Sequence, residues 1–155
     1  MKKKIALLAS ALFVFASVEA FSFGIGLRGN FGYGYGGSLL FSPNKTLHFG
    51  LSYYLGNELH LGLTADKWFV EKELTSVGSG SLDFYVGIGL YGWLVLAKDP
   101  WMGLGLRVPI GLDLSIDWFE LFLEAAPQIG FSLLPSVGLG GDWFNAALGF
   151  RVWID

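Results

Sequence analysis

From Ser81 to Leu114 the chain alternates. Leu82, Phe84, Val86, Ile88, Leu90, Leu94 and Leu96 occupy even positions, with Asp83, Tyr85, Gly87, Gly89, Tyr91, Trp93 and Val95 between them. A period of two puts successive side chains on opposite faces of a strand. Lys98-Asp99-Pro100 interrupts the run with turn chemistry. The same parity then resumes at Met102, Leu104, Leu106, Val108, Ile110, Leu112 and Leu114. A hairpin folded about Asp99 pairs even with even, so one apolar face continues across both strands.

The pattern extends in both directions. Phe23, Ile25 and Leu27 alternate with Gly24, Gly26 and Arg28; Leu39 and Phe41 mark a second strand within Tyr35 to Ser42. Leu47 to Leu55 and Leu59 to Ala65 supply a third and a fourth, joined at Gly56-Asn57. Glu71 to Gly80 reads as the longest polar connection. After Asp117 the parity becomes odd, at Phe119, Leu121, Leu123, Ile129, Phe131 and Leu133, as an even-length turn requires; pairing 114 with 119 keeps one face continuous. The last strand has even positions outward, from Phe144 to Ile154. The count is eight strands, most long enough to cross a bilayer when tilted. The fold expected is all-β, an eight-stranded antiparallel up-and-down transmembrane β-barrel.

Composition sharpens this. Lys2-Lys3-Lys4, an apolar run from Ile5 to Val18, and Val18-Glu19-Ala20 have the layout of a secretory signal peptide cut after Ala20. The domains expected are a signal peptide over 1–20 and a barrel over 21–155. Without residues 1–20 the chain carries seven basic and twelve acidic residues, net −5. That argues against nucleic-acid binding, which needs a basic face. A chain that is apolar yet lacks a spanning helix fits a closed barrel, because only helices and closed barrels satisfy every backbone group in lipid. The mature lysines, Lys45, Lys67, Lys72 and Lys98, lie in turns or at strand ends. A secreted soluble barrel with an apolar ligand inside would instead show a charged exterior along its strands.

The non-apolar face therefore becomes the lumen. If strands six and seven pair as above, Arg107 faces Ala126. If the last hairpin folds about 138–139, Arg151 faces Ala126 from the other side. Glu124 and Gln128 are then diagonal to both, within reach of long side chains. Arg107, Glu124 and Arg151 form a buried charge cluster, with Glu120 and Asp113 one layer nearer the periplasmic end. The cluster reads as a plug, with a narrow path for ions or small solutes as the alternative, since eight strands leave little bore. All six tryptophans, Trp68, Trp93, Trp101, Trp118, Trp143 and Trp153, fall on lumen parity, mostly near strand ends. They read either as caps closing the barrel mouths or as interfacial girdle residues after a slip of parity.

Other chemistry is thin. Gly24-Ile-Gly-Leu-Arg-Gly29 fits G-x-G-x-x-G but sits in a strand that no helix follows, so it fails the context of a dinucleotide site. His48 and His60 lie on adjacent strands at different depths, and no cysteine or close carboxylate pair completes a metal set. No activated nucleophile stands out. No catalytic residue, metal or cofactor is expected, and the chain does not read as an enzyme. The partner expected is outer-membrane lipid, for a monomer, with any extracellular ligand unspecified.

Gly105-Leu-Arg-Val-Pro-Ile-Gly-Leu112 and Glu120-Leu-Phe-Leu-Glu-Ala-Ala-Pro127 resemble the small outer-membrane barrel family of spirochaetes, which is similar to the eight-stranded barrels of the OmpX, OmpW and OmpA type. The resemblance covers roughly the C-terminal half. It implies an outer-membrane location and surface exposure and carries no catalytic residues. The chain departs from the usual C-terminal Phe by ending Trp153-Ile154-Asp155.

Overall fold

The computed structural model describes residues 22–32 and 35–154, with Val70 by its backbone only. The signal peptide expected over 1–20 lies outside the described residues. Ten strand segments follow in order: β1 Phe23–Phe31, β2 Tyr35–Asn44, β3 Leu47–Tyr54, β4 Leu59–Val77, β5 Gly80–Leu96, β6 Trp101–Arg107, β7 Ile110–Ile116, β8 Phe119–Leu134, β9 Gly138–Leu139 and β10 Phe144–Ile154. Consecutive strands pair antiparallel from β1 to β5. β6 and β7 both lie between β5 and β8, β10 pairs with β8, and β10 closes the ring onto β1. The ring thus has eight strands, with β6 and β7 as two lengths of one. Closure leaves no sheet edge around the wall.

The break between β6 and β7 has a local cause. Pro109 has no N–H for the ladder. Its carbonyl still accepts from Gly87 N–H at 2.9 Å, and Val108 N–H donates to Pro127 O at 3.0 Å. Register therefore carries through: Arg107 lies opposite Gly89 and Ile110 opposite Val86.

Burial follows the alternation. Along β1 and β10 small and polar residues are buried between exposed Ile25, Leu27, Leu148 and Phe150. The buried set includes Arg28, Ser38, His48, Asp66, Tyr85, Arg107, Phe122, Glu124 and Arg151. The apolar face points outward and the polar face inward. An inverse barrel lined for an apolar ligand does not match this placement.

The lumen is packed because glycines on one strand make room for large side chains from the next. A Cβ on Gly103 would collide with the Trp93 ring, one on Gly111 with Tyr85, and one on Gly149 with Phe122. Close approach explains these glycines without any special backbone conformation. Gly78 does require one: it takes φ +59° in the two-residue turn between β4 and β5, as Asp117 takes φ 52° between β7 and β8. Two-residue hairpins favour positive φ because it matches strand twist.

Three expectations of register need correction. The β5–β6 hairpin is centred on Lys98 rather than Asp99, so Asp83 lies opposite Asp113. The β7–β8 turn is two residues long; Leu114 pairs with Leu121, Ile116 with Phe119, and Arg107 with Gln128 rather than Ala126. The β8–β10 connection is longer and asymmetric, which sets Arg151 opposite Glu120 and Asn145 opposite Ala126. Parity survived each shift because every shift is even.

The polar stretch from Glu71 to Gly80 is strand on either side of a two-residue turn at 78–79, not a loop. β4 runs 19 residues to Val77 and pairs with β5 to the tip. Its pairing with β3 ends at Lys67, so the hairpin continues past its neighbour. A strand wet on both faces loses the apolar alternation that marks the rest. Turns 45–46, 78–79 and 117–118 share one end of the barrel with Phe23 and Ile154. Connections 55–58, 97–100 and 135–143 share the other.

Candidate functional site in the barrel lumen

The lumen holds its charges in layers. At mid-height Glu124 on β8 collects three donors. Arg107 Nη2 is hydrogen-bonded to Glu124 Oε1, Arg28 Nη1 lies 3.4 Å from the same oxygen, and Tyr85 OH donates to Oε2 at 3.2 Å. Arg107 Nη1 also stands 3.4 Å from Asp66 Oδ2 on β4, and Arg28 Nη2 reaches Thr64 Oγ1 at 3.4 Å. Four strands, β1, β5, β6 and β8, thus meet at one carboxylate, and β4 joins them through the two arginines. Buried ions survive only where pairing and hydrogen bonds offset their lost hydration, and this layer supplies both.

Nearer the termini Arg151 on β10 pairs with Glu120 directly opposite, and Trp153 Nε1 donates to the other Glu120 oxygen at 2.7 Å. The Arg151 guanidinium lies 5.1 Å from the Phe122 ring centroid, 5.3 Å from Trp68 and 5.6 Å from Trp153. Aromatic faces at such range stabilise a cation that water cannot reach. Trp68 stacks on Tyr85 with centroids 3.7 Å apart. His48 Nε2–H donates to the Lys45 carbonyl at 3.1 Å, leaving Nδ1 to accept from Ser42 Oγ at 2.8 Å.

Toward the opposite end, Tyr91 stacks on Trp93 and Trp93 meets Trp101 edge-on. Trp101 Nε1 donates to Ser132 Oγ at 2.9 Å, and Tyr91 OH donates to Asp142 O at 3.2 Å. Burial in this connection pushes the Asp142 carboxyl up to about 6.

The structure brings together some of the residues singled out in the sequence and separates others. Arg107 and Glu124 meet; Arg151 does not join them but pairs with Glu120, one layer down. Gln128 lies opposite Arg107 and lines the cavity beyond it. Asp113 is buried at the level of Glu120 without touching the arginines. Four tryptophans, Trp68, Trp93, Trp101 and Trp153, turn inward. Trp118 and Trp143 are about two-thirds exposed, because each lies in a connection where the strand parity no longer applies. Sequence reasoning passed over Arg28 and Asp66 as cluster members, although both carry lumen parity. Nothing in a single strand states which other strands the ring sets across from it.

Two small cavities flank the Glu124 layer. One, of about 30 Å³, is lined by Tyr54, His60, Tyr91, Arg107 and Asn145 among others. The other, of about 10 Å³, lies among His48, Asp66, Glu124 and Arg151. These are volumes for one or two waters. The layer between them can bar passage and hold strands together.

Ring and lumen define a closed eight-stranded antiparallel β-barrel with a charged, side-chain-filled interior. Among solved structures it is similar to the N-terminal β-barrel domain of Pseudomonas aeruginosa OprF, with TM-score 0.51 and 21% identity, covering 86% of this chain and 98% of that one. Likeness at this identity establishes the shared fold. No family model matches the chain, and no curated protein matches it.

Proposed function

We propose that this chain is a small outer-membrane barrel whose lumen is plugged at the Glu124 layer, with a structural or surface-interaction role rather than a catalytic one. One observation carries the reading. Leu27, Leu39, Leu51, Leu63, Leu90, Leu106, Leu123 and Leu148, one from each strand of the ring, are each about half exposed or more. A continuous apolar belt of this kind is unfavourable in water and is the outer surface of a barrel in lipid. The OprF barrel fold, and the resemblance of 105–112 and 120–127 to the spirochaetal barrels, agree with it. On this reading the end bearing Phe23 and Ile154 faces the periplasm.

Fractionation tests the location, and heat-modifiable migration in detergent gels tests the barrel. The chain is expected in the outer-membrane fraction, migrating faster unheated than boiled. Recovery in the soluble fraction would sink the reading. The narrow-pore alternative is tested in planar bilayers with reconstituted barrel: steady single-channel openings of the unmodified chain would replace the plug by a path.

A further inference from the structure

Three carboxylates outside the Glu124 network meet at the end of the lumen that holds the termini. Glu71, Asp83 and Asp113 come from β4, β5 and β7, and one carboxylate oxygen from each lies within 4.8 Å of the other two. Asp83 and Asp113 are directly opposite across the β5–β7 pair. Glu71 arrives because a register shift between Trp68 and Val70 changes the parity of β4 and sets Glu71 opposite Tyr85, on the inward side. From sequence alone Glu71 falls in a polar connection, and a hairpin about Asp99 sets Asp83 two residues out of register with Asp113, so no close carboxylate set is expected there.

Among the described residues no ion pair compensates the charges at this end. Three buried arginines share the lumen with five buried carboxylates, Asp66, Asp83, Asp113, Glu120 and Glu124. The arginines are committed: Arg28 to Glu124, Arg107 to Glu124 and Asp66, Arg151 to Glu120. Among the described residues the surplus of two negative charges is therefore Asp83 and Asp113, and Glu71 adds a third. Lys45, the cation acting on Glu71, lies over the Trp153 ring at 4.1 Å, and Arg151, which acts on Asp113, is paired with Glu120. Ser81 Oγ donates to Asp83 Oδ2 at 2.5 Å. Asp113 is only 2% exposed, and its Oδ1 accepts no hydrogen bond from the protein. A buried carboxylate oxygen without a donor, on a side chain grouped with two other carboxylates, is costly.

We propose that Glu71, Asp83 and Asp113 form a binding site for a hard divalent cation of the Ca²⁺ and Mg²⁺ class. The donor set is all oxygen, with no imidazole or thiolate to select a softer metal. Oxygens about 2.4 Å from a Ca²⁺ stand up to about 4.8 Å apart on opposite sides of it, so the spread suits Ca²⁺ better than the tighter Mg²⁺ octahedron. The ion neutralises the surplus charge. It also ties Glu71, on the part of β4 that has left β3, to β5 and β7. The site lies inside the wall and holds whatever the outer face meets, so its failure leaves the membrane reading standing.

The test uses the full chain refolded in detergent, stripped with EDTA, then titrated with CaCl₂ or MgCl₂ by calorimetry and followed by thermal unfolding. One ion per barrel is expected, with a rise in Tm of at least about 3 °C at saturation, larger for Ca²⁺. Asp113→Asn and Glu71→Gln should lose the rise, and Asp113→Asn should exceed the unmodified chain in Tm in EDTA. No response to either ion up to about 10 mM, above the range of weak extracellular Ca²⁺ sites, would overturn the site. So would a rise that persists in both variants, which would mark ions held elsewhere. If Asp113→Asn fails to fold, Glu71→Gln at the exposed rim decides alone.

Discussion

Two layers of the same lumen treat charge in opposite ways. At mid-height Glu124 is surrounded by Arg28, Arg107 and Tyr85, and Asp66 balances the second arginine. At the end holding the termini, Glu71, Asp83 and Asp113 face one another with no arginine committed to them. The first layer joins strands from several places around the ring and is buried throughout; the second joins neighbouring β4, β5 and β7, with Asp83 and Asp113 buried and Glu71 exposed. The difference that matters is pairing. The difference teaches that a barrel lumen is not uniformly a polar interior: one layer locks the strands together, and the other strains them until a cation arrives.

The largest break in this comparison comes at Glu124. Glu124→Ala leaves Arg28 and Arg107 buried without their shared acceptor, and should cost about 3–5 kcal/mol, read as a fall in unfolding midpoint in urea. An unchanged midpoint would show that the layer does not hold the wall. Gly103→Ala tests packing apart from charge. Its Cβ meets the Trp93 ring and the Phe131 backbone, and overpacking of this kind costs about 1–3 kcal/mol.

The lumen faces were legible in the sequence because a period of two needs only local order. Leu82 to Leu96 and Phe144 to Ile154 each declare their own two faces, and eight such runs suffice to count the ring. Register was not legible. It depends on turn length, and turns 97–100, 117–118 and 135–143 offered no local signal of how many residues each absorbs. Hence Arg107 and Glu124, close under either register, were found together, whereas Arg151 was assigned to the wrong carboxylate. Arg28 escapes the pattern because its partner lies two strands away around the ring and 96 residues away in sequence. The β4 bulge, which turns Glu71 inward, leaves no pattern in a stretch as polar as Glu71-Lys-Glu-Leu-Thr-Ser76.

A smaller effect sharpens the comparison at the opposite mouth. The folded Asp142 carboxyl, pushed up to about 6 by burial, holds its proton more tightly than the unfolded chain does. Stability from this group is thus fully present below about pH 4 and is lost as pH rises through about 6. Asp142→Asn should match the unmodified chain at pH 4 and exceed it at pH 8 by about 1 kcal/mol, after allowance for solvent screening. The smallest effect is that of salt. Raising NaCl tenfold in EDTA should stabilise the barrel by a few tenths of a kcal/mol, on the order expected for screening partly exposed like charges. Glu71→Gln should reduce that gain.

The claim on which the rest depends is that the Leu belt meets acyl chains. The chain has no cysteine, so Leu90→Cys supplies a unique label site on the outer face. With an environment-sensitive fluorophore at that position and the barrel in vesicles, nitroxide-bearing acyl chains should quench the label and aqueous iodide should not. Quenching by iodide with no response to the acyl-chain nitroxide would contradict the account.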